Sequence, residues 1–390
     1  MVENIFWIGL GILIYTYLGY GAILFIMVKL KRIFNKRKAA TYAFDELPEL
    51  TLMIPCYNEE DFIEDKIKNC LELEYPAEKK HLVFVTDGST DKTNEYIEKH
   101  EELELYFSPE RRGKNAAVNR VMPHIKTPIV VFCDSNTMLN KDALVNIARH
   151  YKDPKVGGVA GEKRVASEGA NAAGSGEGAY WKYESKLKQW DSELHSVVGA
   201  AGELFSIRTE LYEEVPPNVI IEDFRLSMNI AKDGLRVVYE PDAYAVETGS
   251  ASIDEENKRK VRISAGGLRE VAHFSGLLNF FKHGLLTFQY VSHRMLRWTL
   301  APLALPVVFV SNGILAFSGQ PIYQTLFALQ VAFYLFAALG HTLRNKAISF
   351  QKLFIPYYFV FMNLSVYKGL GRLLKGSQSV VWEKAQRAKG

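Results

Sequence analysis

Three long runs without a charged side chain frame this chain and limit what it can fold into. Residues 5–28, 298–317 and 321–340 contain no Asp, Glu, Lys or Arg. A helix needs about 17–25 mostly apolar residues to cross a bilayer, so each run predicts a membrane span. The 48% hydrophobic content would also serve buried helices of a large soluble protein, but uncharged runs of this length exceed what core helices need. A fourth run, 353–367, is apolar but bounded by Lys352 and Lys368, which predicts a re-entrant or interfacial helix. The first run has no basic start and no small-residue cleavage pattern, so it reads as an anchor rather than a signal peptide. It is followed by "KLKRIFNKRK", with six basic residues and no acid. The excess of Lys and Arg predicts an N-terminus outside, and a cytoplasmic middle, 341–352 loop and tail after Lys368. The expected location is the inner (plasma) membrane, multi-pass.

Between the runs the pattern changes. Residues 45–245 alternate β-rich stretches ("LTLMIP", "HLVFVT", "ELYFS", "PIVVFC", "VGGVAG", "ELFSIR", "RVVYE") with helical ones near 60–72, 91–100, 114–122, 140–151 and 222–232. That alternation predicts an α/β, Rossmann-like domain with a mainly parallel sheet. The expected division is 1–44 for the first span and its basic flank and 45–267 for the α/β domain. Residues 268–297 are expected as interfacial helices, and 298–390 as the C-terminal membrane region. The stretch 166–179, rich in Gly, Ala and Ser, reads as a loop. Tyr180, Tyr183, Leu187, Trp190 and Leu194 after it mark one helical face, for core packing before acceptor binding. A net charge of +3 gives no reason to expect nucleic acid, and three cysteines fit a reducing compartment without a zinc site.

Ligands of parallel sheets collect beyond the carboxyl ends of strands, and here those ends are polar. "PCYNEED" closes the first strand and "VTDGSTD" the second, where Asp87-Gly88-Ser89 is a sharp turn that a cap alone would explain. "RRGKNAAVNR" places Gly113 and Lys114 at a helix start able to hold an anion. "CDSN" ends a buried strand with Asp134, Ser135 and Asn136, and Asp134 with Asn136 offers hard oxygen ligands to Mg2+ or Mn2+. Glu222 and Asp223 open a helix, where acids are favoured by the dipole in any case. Arg259, Lys260 and Arg262 precede a Gly pair, and a membrane-surface patch is the plainer account of them. The order of these signals suits transfer from a nucleotide diphosphate: one general base, with metal and arginines to neutralise the leaving group. "VGGVAG" is not a dinucleotide fingerprint, which excludes the dehydrogenase reading, and no P-loop is present.

The series "PCYNEE", "DGSTD", "RRGKNAAVN", "DSN", "GAAGELFSIR", "ED" and "RKVRISAGG" resembles the membrane-bound family-two glycosyltransferases, over about residues 48–300. These are inverting enzymes of GT-A fold, related to the cellulose, chitin, hyaluronan and poly-N-acetylglucosamine synthases. The resemblance implies that Tyr57, Asn58, Glu59 and Asp87 line the nucleoside pocket and that Lys114 reaches the nucleotide, with Ser135 beside it. It implies that Asp134 holds the metal, that Asp223 beside Glu222 is the base, and that Arg262 with Arg259 neutralises the diphosphate. Thr86 replaces the first Asp of D-D-G-S, and Arg259 and Ile263 stand where the Q-x-x-R-W motif has Gln and Trp. A second near-match, Arg294 to Trp298, reads as an interfacial anchor. The expected activity is processive transfer from a UDP-sugar to a growing polysaccharide, with a homo-oligomer or accessory subunit completing an export channel. The alternatives are a single transfer to a lipid acceptor, and a nucleotide-sugar-binding membrane subunit with little activity.

Overall fold

The computed structural model describes residues 1–34, 43–165, 172–248, 253–343 and 351–376. Its centre is one eight-stranded sheet, ordered β3-β2-β1-β4-β7-β6-β8-β5. The strands are β1 (Leu50–Cys56), β2 (Lys80–Asp87), β3 (Leu103–Ser108), β4 (Ile129–Cys133), β5 (Thr137–Leu139), β6 (Val156–Val165), β7 (Leu204–Arg208) and β8 (Arg236–Glu247). Strands β3, β2, β1 and β4 run parallel, as do β6 and β8, while β7 is antiparallel to both its neighbours and β5 to β8. Each residue of β1 is buried. Such double burial is what a central parallel strand with helices on both faces requires. Leu50, Leu52, Ile54 and Cys56 point to the layer containing Ile63, Ile67, Leu144 and Ile147. Met53 points the other way, to Val118, Val121, Leu226 and Ile230.

All seven strands expected from the sequence form. The loop expected over 166–179 is shorter than the reading: a helix begins at Ala172 and runs to Leu194, and 166–171 lie outside the described residues. Once the later turns are fixed by packing, each added residue gains a hydrogen bond, and alanines extend a helix readily. The helix Ile253–His273 runs through residue 267, where the sequence division falls.

Two helices, Val2–Phe34 and Pro321–Leu343, are long and apolar enough to cross a membrane, and the bent pair Leu285–Trp298 and Leu300–Ala316 makes a third if it is one span. The pair turns by 55° at Thr299. The run 353–367 belongs to a single helix, Gln351–Leu374, longer than the apolar stretch alone suggested and outside the set that passes on apolarity. The first helix packs on two partners. Phe6 meets Val308 and Tyr323, and further along Tyr20, Leu24 and Val28 meet Leu187 and Leu194. A Cβ at Gly9 would lie 2.7 Å from Val308, so glycine sets that approach.

Candidate active site

The polar strand ends are first of all latched to one another. Asn58 has positive φ (51°), a conformation Asn tolerates better than most residues. Its N–H donates to Ser89 Oγ at 3.1 Å, and its Oδ1 accepts from Thr90 N–H at 2.8 Å. Glu59 N–H donates to Thr93 Oγ1 at 2.8 Å, and Ser135 Oγ donates to the buried Glu59 carboxylate at 3.2 Å. Asp87 Oδ2 accepts from the N–H groups of Arg112 (2.9 Å) and Gly113 (2.6 Å). Its Oδ1 is buried without a hydrogen bond. Gly88, with φ +71°, could not carry a Cβ, which would stand 2.8 Å from Arg111 Cβ. Arg111 lies over the Tyr57 ring, 3.6 Å from its centroid.

Beyond these latches lies a cavity of about 240 Å³ lined by Lys114, Asp134, Glu222, Asp223, Arg259 and Arg262. The structure thus brings together six of the residues singled out from the sequence. Tyr57, Asn58, Glu59, Asp87, Ser135 and Asn136 stand outside the cavity wall. Lys114 opens its helix after Gly113 (φ +96°) and reaches both Asp134 and Glu222, at 2.8 Å each. Burial alone would lower the Lys114 ammonium, but those two carboxylates reverse the effect and hold its pKa above the ordinary range. Burial alone would likewise raise Glu222, and Lys114 holds it below its usual value. Asp134 is raised by burial, with Lys114 opposing.

Asp223 has no such partner cation. Burial, then the neighbouring Glu222 and Glu203 carboxylates, push its pKa to about 7. A carboxylate there accepts a proton near neutral pH, which is the property of a general base. Its backbone is set by the adjacent Phe224, whose ring fills the space over Gly199 (φ +84°), where a Cβ would lie 2.4 Å from the ring. The Arg262 guanidinium faces the same acids. Burial lowers it, and the Glu222, Asp134 and Asp223 charges counter that effect.

Some of the wall was not expected. Glu203, from "GAAGELFSIR", pairs with the buried Lys163 at 2.6 Å, and Lys163 also meets Glu247. Arg294 and Trp298, read as an interfacial anchor, instead line the cavity, because the bend at Thr299 turns that helix end inward. Arg294 pairs with Glu184 at 2.6 Å, and the Trp298 ring stands edge-on to Phe224 at 5.3 Å. Tyr180 and Trp181 also line the cavity, whereas Trp190 packs against Phe25 of the first helix.

Asp134 offers one buried carboxylate to a cation. Among the described residues no three His, Cys, Asp or Glu side chains converge as a metal-holding group. This donor set fits a hard cation that keeps water and diphosphate oxygens as its other ligands, as Mg2+ and Mn2+ do, and does not fit a cation caged by protein alone. Asn136, the other expected ligand, is half-buried and is not among the residues lining the cavity.

A mostly parallel sheet whose strand ends face a cavity lined by Lys114, Asp223 and Arg262 is the arrangement of the GT-A fold. Residues 51–215 match the family model "Glycosyl transferase family 2". Among solved structures the chain is similar to the mannosyltransferase PcManGT from Pyrobaculum calidifontis in complex with GDP-Man and Mn2+. The TM-score is 0.69 at 23% identity, over 96% of this chain and 99% of that one, a likeness of fold. Poly-beta-1,6-N-acetyl-D-glucosamine synthase of Staphylococcus aureus is 29% identical over 230 residues, 57% of this chain and 55% of that protein. The Staphylococcus epidermidis synthase is 24% identical over 254 residues, 63% and 61% respectively. The chain thus spans little more than half the length of the curated relatives it matches.

Proposed function

We propose that this chain is an inverting glycosyltransferase that moves a sugar from a nucleotide-sugar donor to a hydroxyl acceptor at a membrane face. The observation that carries the reading is Asp223, an acid with pKa of about 7 in a cavity shared with Lys114 and Arg262. Asp223 takes the acceptor hydroxyl's proton as the oxygen attacks the anomeric carbon. The bond from that carbon to the diphosphate oxygen breaks on the opposite face, so configuration inverts. Lys114 and Arg262 meet the negative charge left on the diphosphate. A divalent cation held by Asp134 would add charge neutralisation when bound. Tyr57 and Asp87 Oδ1, beside the cavity, would receive the nucleoside.

Similarity to the poly-beta-1,6-N-acetyl-D-glucosamine synthases supports repeated use of this site in chain extension from a UDP-sugar, the product leaving across an inner membrane in which the helices are embedded and the catalytic domain faces the cytoplasm. A second reading, one transfer to a lipid-borne acceptor, is favoured by a different observation. Among the described residues two or three helices qualify as spans, few for enclosing a polymer channel within one chain. The GDP-Man of the similar mannosyltransferase keeps GDP-sugars among the donors. The test is nucleotide release by the purified full chain with a panel of UDP- and GDP-sugars and Mn2+ or Mg2+, followed by product sizing. No release with any donor refutes the transferase reading. A ladder supports the synthase, and a single short product supports the lipid acceptor.

A further inference from the structure

Among the cations of the cavity that this reaction does not use, one is buried away from any described acid that could pair with it directly. Lys188 lies on the Ala172–Leu194 helix, is 4% exposed and lines the cavity. Its neighbours in the wall are matched: Lys114 by two acids, Arg294 by Glu184 at 2.6 Å, and Lys260 by Glu256 at 3.4 Å. Among the described residues no hydrogen bond or ion pair reaches the Lys188 ammonium. Its ring contact is Trp181, with Nζ 5.9 Å from the centroid. The charges that act on it from further off are Arg294 against it and Glu184, Glu203 and Asp223 in its favour. A buried ammonium without a direct partner is costly. A ligand that supplies the missing anion removes that cost.

The place of Lys188 indicates which substrate supplies it. Lys114 and Arg262 share Asp134 and Glu222, the acids of the donor and metal side. Lys188 instead stands on the helix that carries Trp181 and Glu184, and it shares the cavity lining with Asp223. Trp181 and Tyr180 stand at its side, and aromatic faces of this kind pack against sugar rings. We propose that Lys188, with Trp181, forms the acceptor subsite, and that the acceptor carries an acidic group, phosphate or carboxylate, near the hydroxyl that Asp223 deprotonates. The proposal rests on the transferase reading, because it is that reading which makes Asp223 the boundary between donor and acceptor.

The test is binding to the full-length protein in neutral detergent, loaded with UDP or GDP and Mn2+ so that the donor side is filled. The probes share one sugar and differ in charge: methyl glucoside, methyl glucoside 6-phosphate and methyl glucuronide. At least one anionic probe should bind ten-fold or more tightly than methyl glucoside. Preference for the phosphate identifies a phosphorylated acceptor, and preference for the glucuronide a uronic acid. Lys188→Met should abolish the difference and Lys188→Arg should keep it, with nucleotide affinity unchanged in both. Equal binding of all three probes to the wild type, or an undiminished preference in Lys188→Met, overturns the proposal. The wild-type comparison alone decides should Lys188→Met fail to fold. If neither nucleotide binds, the transferase reading fails on its own, and the same probes are titrated into the free protein. Donor turnover with no preference among the probes sinks only the acceptor proposal.

Discussion

Replacing Asp223 by Asn tests the assignment of the base most directly. The two side chains are nearly isosteric, so the cavity keeps its shape, but the amide cannot take a proton. General-base catalysis contributes about 10²–10⁴-fold, so we predict that Asp223→Asn loses that much in rate, roughly 2.7–5.4 kcal/mol of barrier. The pH profile carries the sharper signature. The folded pKa is about 7 against an ordinary 3.8, with burial first and the Glu222 and Glu203 charges second as causes. Below pH 7 the ionised fraction falls by about ten-fold per unit, so kcat/KM of the wild type at pH 5 should be about 1% of its plateau. In Asp223→Asn that acid limb should vanish and leave a low, flat rate. The linked stability has the opposite sign. Between about pH 4 and 7 the folded state holds a proton that the unfolded state has released, so the free wild type loses stability as pH rises through this window. Asp223→Asn removes the liability and should melt at or above the wild-type temperature at pH 8. Nucleotide release at saturating acceptor gives the rates, and thermal melts at pH 5 and 8 give the stability. A variant that keeps more than a tenth of the wild-type rate, or keeps the same acid limb, refutes the role.

Three further predictions follow from the cavity and its supports. Asp134→Ala should lower turnover at least 100-fold and mimic EDTA, with Mn2+ or Mg2+ restoring the wild type only; full wild-type turnover in EDTA excludes a metal. Lys114→Met leaves Asp134 and Glu222 unpaired, so it should weaken nucleotide binding and cost about 1–3 kcal/mol in denaturant unfolding. Unchanged binding of the donor nucleotide would show that Lys114 only holds the two acids together. A Cβ on Gly369 would sit 2.8 Å from the Ala265 backbone nitrogen, so Gly369→Val should force two helices apart and lower both melting temperature and turnover; a variant unchanged in both measurements would show that the contact yields freely.

The legible parts of the sequence were those where one property dominates. Strand β4 is five buried residues in a row, β1 seven, and β2 ends in six, a pattern few other elements produce. Asp134 stood out because a carboxylate at the end of such a run has no packing explanation, whereas Asp87, Lys114 and Asp223 stood out through their order along the chain. Strand β5 was missed because three residues, Thr137–Leu139, are too few to show a period, and its pairing with β8 is set by the sheet edge. Lys188 was missed for a different reason. The Ala172–Leu194 helix buries two stripes: Leu187 and Leu194 against the first helix, and the polar set Glu184, Lys188, Asp191 and Ser192 on another side. A reading that counts apolar spacing finds the first stripe and takes the second for a solvated face. Arg294 and Trp298 depend on a bend at Thr299, whose signal in the sequence is Pro302 in the first turn of the helix that follows.

The helix Ile253–His273 lines the cavity with Arg259 and Arg262, while the backbone at Ala265 takes the approach of Gly369 from the C-terminal helix. It is therefore a strut shared by two compartments, a rigid rod rather than a hinge. A fragment cut after it would retain the nucleotide-binding chemistry but lose the wall that Arg294, Trp298 and Met362 supply. Gly369 packs against Ala265, Ser264 and Val261 of that helix, so a tilt of the C-terminal helix would carry the arginines with it. With the candidate spans set in a bilayer, its thickness would become a variable in the rate of a reaction carried out by residues outside the spans.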